Sequence, residues 1–243
     1  MNIKLTIEYD GTNYHGWQIQ PNGESIQSVL ERAVSTFLGV ATRIIGSGRT
    51  DAGVHALGQV VNFFSDKEFD PHRIQRALNA LTPQDITIKK VEVAPASFDA
   101  RRDGRSRVYE YCILNRSAPS PFHVNRAWHV HDPLDVAAMR EAIVCLEGEH
   151  DFSSFRAAGC DAAQPVRTVY RASLDQRGEL LVFTIEATAF LRHMVRNIVG
   201  TLVDVGRGLR PPESFTEVLE SRDRTKAGPT APAQGLFLIE VKY

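Results

Sequence analysis

The residues best suited to chemistry lie in one glycine-rich stretch, residues 46–56, GSGRTDAGVHA. Glycine at 46, 48 and 53 opens backbone conformations closed to other residues. A loop built this way can hold the short side chain of Asp51 at a fixed angle. Arg49 stands two residues earlier, and a guanidinium beside a carboxylate favours the ionised form. An ionised, positioned carboxylate can act as a nucleophile or a base. The same residue types also build ordinary tight turns, in which Arg49 and Asp51 form a surface ion pair.

Basic residues crowd at two further places. Arg101, Arg102, Arg105 and Arg107 fall just before Tyr109, itself within the strand-like run VYEYCILN, residues 108–115. Tyr109 can present an aromatic platform, or it can be a core tyrosine with its hydroxyl satisfied. Arg192, His193 and Arg196 fall in a segment with an apolar helical stripe, where Arg192 and Arg196, four apart, would share a face. Arg207, Arg210, Arg222, Arg224 and Lys226 add charge further on. Such groups contact phosphates or simply solvate the surface. The formal net charge is −1, so any nucleic-acid binding must rest on a local basic surface.

Alternating and helical patterns supply the elements that position these residues. Ile3, Leu5, Ile7 and Tyr9 alternate, which predicts a strand over 3–9. Gly11 and Gly16 mark the loop after it. Ser25 is placed to cap a helix carrying Ile26, Val29, Leu30, Ala33, Val34, Phe37 and Leu38. Residues 59–64, QVVNFF, predict a strand, Asp70-Pro71 a helix start, and residues 86–93 another strand. In the second part the spacing predicts a strand over 108–115, a helix opened by Asp132-Pro133 and a hairpin of 165–174 with 180–187. A helix over 189–205, a short helix near 212–221 and a strand over 235–243 complete it. The fold class is α+β, with two α/β subdomains, 1–104 and 105–243, forming a largely antiparallel mixed sheet flanked by helices.

Composition limits the function classes. Hydrophobic residues make up 43% and charged residues 23%, ordinary for a globular protein. No apolar run is long enough to span a bilayer. The N-terminal run reads as a strand rather than a signal peptide, which makes a cytoplasmic location the expectation. Cys112, Cys145 and Cys160 show neither paired nor metal-ligand spacing, so the expectation is no metal and reduced thiols. No dinucleotide fingerprint or P-loop occurs.

The string GRTDAGVHA resembles the signature of the TruA family of tRNA pseudouridine synthases, and the resemblance runs almost the whole chain. EYDGTNYHGWQ (8–18), GQVVNF (58–63), FDARRDGRSRVYEY (98–111), DFSSFRA (151–157), FLRHMVRNIVG (190–200) and QGLFLIEV (234–241) are similar to further family segments, in the family's order. The resemblance implies that Asp51 is the catalytic aspartate and that Arg49 pairs with it and helps displace the target base. It implies that Tyr109 stacks on the flipped uracil and that Leu236 packs against the base pocket. It further implies a pseudouridine-synthase-like fold with a central RNA-binding cleft, no cofactor, a homodimer, and the anticodon arm of tRNA as partner, with uridines 38, 39 and 40 as targets. Arg101, Arg105, Arg192, His193 and Arg196 are the expected RNA contacts. His55, beside the loop, is expected to steady it or to touch the RNA backbone. The match departs at residue 110, where Glu110 replaces the family's usual arginine. Strand alternation turns Glu110 away from the face of Tyr109 and Tyr111.

Two rival readings follow from the same residues. A non-catalytic tRNA-binding protein would not need Arg49, Asp51 and Tyr109 together. A hydrolase using Asp51 on a nucleoside or glycoside would call for a second carboxylate at suitable separation. No motif marks such a carboxylate, and only Glu110 or Asp99 is left open for that place.

Overall fold

A computed structural model describes residues 1–160 and 162–243. The chain forms two compact units: Met1–Arg105 with Phe237–Tyr243, and Ser106–Leu236. Among the described residues no helix is long and apolar enough to cross a membrane. The α+β expectation holds, with largely antiparallel strands and helices in both units.

In the first unit, strand β1 (Asn2–Tyr9) buries Ile3, Leu5, Ile7 and Tyr9, the alternation read from the sequence. Helix α1 (Ile26–Leu38) starts where predicted. Ser25 Oγ accepts from the Ser28 amide at 3.2 Å, and Ser28 Oγ accepts in return from the Ser25 amide at 3.1 Å. This reciprocal pair satisfies amides that the first turn leaves open. Strands β2 (Ile45–Gly46) and β3 (His55–Phe64) are antiparallel. Helix α2 (Pro71–Leu81) is capped by Asp70, whose carboxylate accepts from the His72 amide, and packs on β4 (Ile86–Ala94). The last strand, β10 (Leu236–Lys242), runs parallel to β3, with Phe237 opposite His55 and Leu238 opposite Ala56. The strand order in this unit is β4-β1-β3-β10.

β3 is four residues longer than its sequence pattern indicates. Its residues are buried on both faces except Leu57 and Phe64, so the polar–apolar alternation that marks a half-exposed strand is missing. Gly58 lies within it because a Cβ there would come within 2.2 Å of the Ile239 carbonyl oxygen on β10.

The second unit orders its strands β5 (Ser106–Asn115), β9 (Leu180–Ala187), β8 (Val166–Arg177) and β7 (Gly148–Asp151), all antiparallel; β6 (Trp128–Val130) runs parallel beside β5. Helices α3 (Val136–Ala142), α4 (Met194–Gly206) and α5 (Ser214–Ser221) accompany them. Two helix starts differ from expectation. Asp135 rather than Asp132 caps α3, accepting from the Ala138 amide at 3.0 Å. The Asn115 amide side chain donates to the Asp132 carbonyl at 2.7 Å and accepts from the Leu134 amide at 3.1 Å, which ties residues 132–134 to β5. Helix α4 begins at Met194 rather than 189, because His193 sits at φ 60° in the left-handed region and interrupts the helix there.

Candidate active site

The Asp51 loop is held on both flanks. On the β3 side, Gln59 is fully buried. Its Oε1 accepts from Ser47 Oγ at 2.5 Å and its Nε2 donates to the Gly48 carbonyl at 3.0 Å. The Ser47 amide donates to the Val60 carbonyl at 2.9 Å, extending the β2–β3 ladder by one residue. On the other side, the Trp17 amide donates to the Thr50 carbonyl at 3.0 Å, and the hydroxyls of Tyr9 and Thr50 share a buried hydrogen bond of 2.8 Å. A turn follows, closed by the Val54 amide on the Asp51 carbonyl at 3.1 Å, with Gly53 at φ 78°. Only glycine takes that conformation without strain.

Gly11 and Gly16 let the 9–17 segment lie directly against this loop. A Cβ at Gly11 would fall 2.0 Å from the Val54 carbonyl oxygen. One at Gly16 would fall 2.7 Å from the Thr50 carbonyl oxygen and 3.0 Å from backbone atoms of Asp51 and Ala52. Asp51 is half-buried and Arg49 exposed. The carboxylate that the sequence singled out thus sits at the reachable edge of a loop whose backbone is fixed before and after it.

His55 is 1% exposed and stacks on Phe237, with centroids 4.7 Å apart. Its Nδ1 lies 3.1 Å from the Gly11 amide and 3.1 Å from Asp10 Oδ1. A neutral ring protonated on Nε2 accepts from Gly11; a ring protonated on Nδ1 faces Asp10 instead. Buried there, the His55 ring lies against Gly11, Asp10 and Phe237 beside the loop.

In the second unit, Tyr109 on β5 is 8% exposed and stands edge-on to Phe190. Tyr111, on the same face, is fully buried and donates its hydroxyl to the Pro232 carbonyl at 2.7 Å. Burial raises the Tyr111 phenol well above its ordinary range, so it serves as a neutral structural donor. Gly235 makes room for that ring: a Cβ there would fall 2.6 Å from it. Leu236 follows directly and is 6% exposed. Glu110 points to the opposite face, where it lies 3.5 Å from the Arg177 guanidinium on β8. The departure from the family pattern is therefore absorbed by a cross-strand pair away from the tyrosines.

The basic residues divide by what they touch. Arg101, Arg105 and Arg192 have exposed side chains. Arg192 and His193 precede α4 rather than lying on it, so the shared helical face expected for Arg192 and Arg196 does not form. Arg196 is on the helix, half-buried, and its Nε donates to the Ala231 carbonyl at 2.8 Å. Arg207 faces Asp132 at 3.5 Å, Arg210 faces Asp204 at 3.6 Å and Arg222 faces Asp151 at 3.4 Å. Arg224 bonds the Gly228 carbonyl at 3.0 Å and Asn197 Oδ1 at 3.1 Å. These four hold structure together.

Sequence reading passed over Gln59, Thr50, Tyr9 and Phe190. Gln59 and Tyr9 fall inside recognised strands, where polar or hydroxyl groups on a buried face were the available signal. Nothing in the local sequence marks Phe190 as a neighbour of Tyr109, which lies eighty-one positions earlier.

Comparison with known proteins places the site in a family. A family model described as tRNA pseudouridine synthase matches residues 5–102 and 142–243. The chain is 48% identical over 242 residues to tRNA pseudouridine synthase A of Myxococcus xanthus, covering 99% of this chain and 91% of the relative. It is 45% identical over 241 residues to the protein of that name in Geotalea uraniireducens, covering 99% of each. The corresponding protein of Acetivibrio thermocellus is 44% identical over 242 residues, covering 100% of this chain and 99% of the relative. The matched residues include both the clamped aspartate loop and the segment around Phe190 and Arg192. The chain belongs to the tRNA pseudouridine synthase family and is an enzyme that isomerises uridine in tRNA.

Proposed function

We propose that this enzyme converts uridine to pseudouridine at positions 38, 39 or 40 of the tRNA anticodon stem-loop, with Asp51 as its catalytic carboxylate. The observation that carries the assignment is the Asp51 loop itself. Its backbone is held by Gln59, Tyr9 and Trp17, while the carboxylate remains half-buried and reachable. A reaction that shifts the glycosidic bond from N1 to C5 of the same base needs such a fixed group more than it needs binding area.

The chemistry breaks the N1–C1′ bond, turns the uracil and joins C5 to C1′. The hydrogen on C5 leaves as a proton and N1 gains one, so the change is an isomerisation with no redox step. A uridine inside a stem must be flipped out to be reached. Tyr109 supplies the aromatic face on which it stacks, and Leu236 the apolar wall. Arg49 helps displace the base and pairs with Asp51. Attack on C1′, addition at C6 and removal of a ribose proton all require the Asp51 carboxylate at a fixed place beside the nucleoside. Arg101, Arg105, Arg192, His193 and Arg196 contact the RNA backbone. In this reading residues 1–104 contribute the aspartate and 105–243 the tyrosine. The enzyme works in the cytoplasm without a cofactor, as a homodimer in which two near-neutral chains build one longer basic surface.

The test is tritium release from tRNA labelled at uridine C5, with transcripts that keep uridine only at position 38, 39 or 40. Wild-type enzyme should release tritium from these transcripts, and Asp51→Asn should release none while still binding them. Full release by Asp51→Asn would remove Asp51 from the mechanism. No release from these transcripts, with release from a tRNA whose only uridines lie elsewhere, would overturn the positional assignment.

A further inference from the structure

Among the groups around the loop, the hydroxyl pair of Tyr9 and Thr50 stands out. Thr50 is the residue immediately before Asp51, and it is 8% exposed. Its carbonyl is bound by the Trp17 amide at 3.0 Å, and its hydroxyl meets the Tyr9 phenol at 2.8 Å. Tyr9 is 4% exposed and closes β1, whose register against β3 shifts between Ile7 and Tyr9. That irregularity sets where the end of the strand lies relative to β3. The ring of Tyr9 is flanked by Trp17, with centroids 6.2 Å apart. Trp17 in turn occupies the space that a Cβ at Gly46 would enter, 2.5 Å away.

The residue before Asp51 is thus anchored twice, through its carbonyl by Trp17 and through its side chain by Tyr9. We infer that Tyr9 is a positioning residue for catalysis: through the Thr50 hydroxyl it fixes the orientation of the Asp51 carboxylate without touching the substrate itself. The inference rests on Asp51 being the catalytic carboxylate. It adds to that assignment a residue from the far end of the N-terminal strand, forty-one positions before Thr50.

The hydrogen bond is buried, so removing either hydroxyl takes away a contact that bulk water does not replace. A catalytic group displaced by a fraction of an ångström loses rate far more than it loses binding, and a displacement near 1 Å can cost ~100-fold. Tyr9→Phe, which removes one oxygen and keeps the ring, should lower the single-turnover rate of tritium release by about 10-fold. Its affinity for tRNA should stay within about 2-fold of wild type, since positioning concerns the transition state rather than binding.

The experiment compares Tyr9→Phe, Thr50→Val, Thr50→Ser and the double variant Tyr9→Phe/Thr50→Val, with Asp51→Asn alongside. Single-turnover tritium release, tRNA affinity and thermal unfolding are measured for each. Thr50→Val should slow release as Tyr9→Phe does, Thr50→Ser should recover most of the lost rate, and the double variant should be no slower than either single one. That pattern would be non-additive because both substitutions remove the same bond. A Tyr9→Phe rate within 2-fold of wild type, losses that multiply in the double variant, or a loss confined to tRNA affinity would each overturn the positioning role. Wild-type release by Asp51→Asn would instead sink the assignment beneath it, so the two failures are distinguishable.

Discussion

The ring of Tyr109 meets Phe190 edge-on, with centroids 4.9 Å apart and planes inclined at 79°. Aromatic pairs in this arrangement are worth about 0.5–1.5 kcal/mol beyond the area they bury. Phe190 therefore helps set the plane of the Tyr109 ring, the face that the proposed function gives to the flipped base. Phe190→Ala is expected to slow single-turnover tritium release by about 2- to 10-fold, the range that energy spans. Phe190→Tyr keeps the ring and should keep the rate. Equal rates for all three proteins would show that the strand alone orients Tyr109.

Two glycines with nearly the same backbone angle separate conformation from crowding. Gly16 has φ 84° and Gly39 has φ 75°. A Cβ on Gly39 would meet nothing within 4 Å, whereas one on Gly16 would press on the backbone of the aspartate loop. Gly39→Ala should cost only the left-handed backbone, about 1–2 kcal/mol, and leave the rate of release unchanged. Gly16→Ala should add overpacking of about 1–3 kcal/mol and a loss of activity, because the atoms that must move belong to Thr50 and Asp51. Thermal unfolding and tritium release on the two variants check this. An active Gly16→Ala enzyme would mean that the loop yields without harm.

Arg192 and Arg196 should respond differently to the same substitution. Arg192 is exposed and ahead of α4, so Arg192→Gln should weaken tRNA binding and leave the unfolding temperature unchanged. If it contacts one phosphate, the slope of log affinity against log salt should fall by about 0.7–0.9. Arg196→Gln removes the donor to the Ala231 carbonyl and should destabilise the protein by about 1–3 kcal/mol besides any effect on RNA. Equal salt slopes for wild type and Arg192→Gln would remove Arg192 from the RNA contacts.

The three cysteines should react with iodoacetamide in a fixed order. At Cys160, burial opposes ionisation. Hydrogen bonds from the backbone at Ala162 and Arg192, with the Arg156 guanidinium, outweigh it and hold the thiol below its ordinary value. At Cys112, burial and the nearby Glu110 carboxylate push it up to about 11, and burial also raises Cys145. The thiolate is the reactive form. Labelling of Cys160 should therefore be fastest near neutral pH and level off at a lower pH than an ordinary thiol does. Labelling of Cys112 should keep rising to about pH 11. Peptide mapping across a pH series reads the order, and Cys112 reacting first at neutral pH would contradict it.

Much of this protein is legible in its sequence because the signals are local. Ser25 and Asp70 announce their helices through side chains that cap the very next turn. The alternation of Ile3, Leu5, Ile7 and Tyr9 announces a strand with one buried face, and that of Tyr109 and Tyr111 turns Glu110 to the other side. The glycines around Asp51 mark a constrained loop, since a backbone angle such as that of Gly53 is closed to other residues.

Tertiary structure decided what depends on neighbours remote in the chain. β2, β6 and β7 are two to four residues long, too short to show a period, and exist only through the strands they pair with. β10 returns from the end of the chain to run parallel to β3, a pairing between segments about 180 residues apart that no local pattern encodes. Sequence identified Asp51 as the residue to hold. Tyr9, Gln59 and Trp17 hold the loop around it, and their part becomes visible only when the fold brings their polar groups within hydrogen-bond distance of Ser47, Gly48 and Thr50.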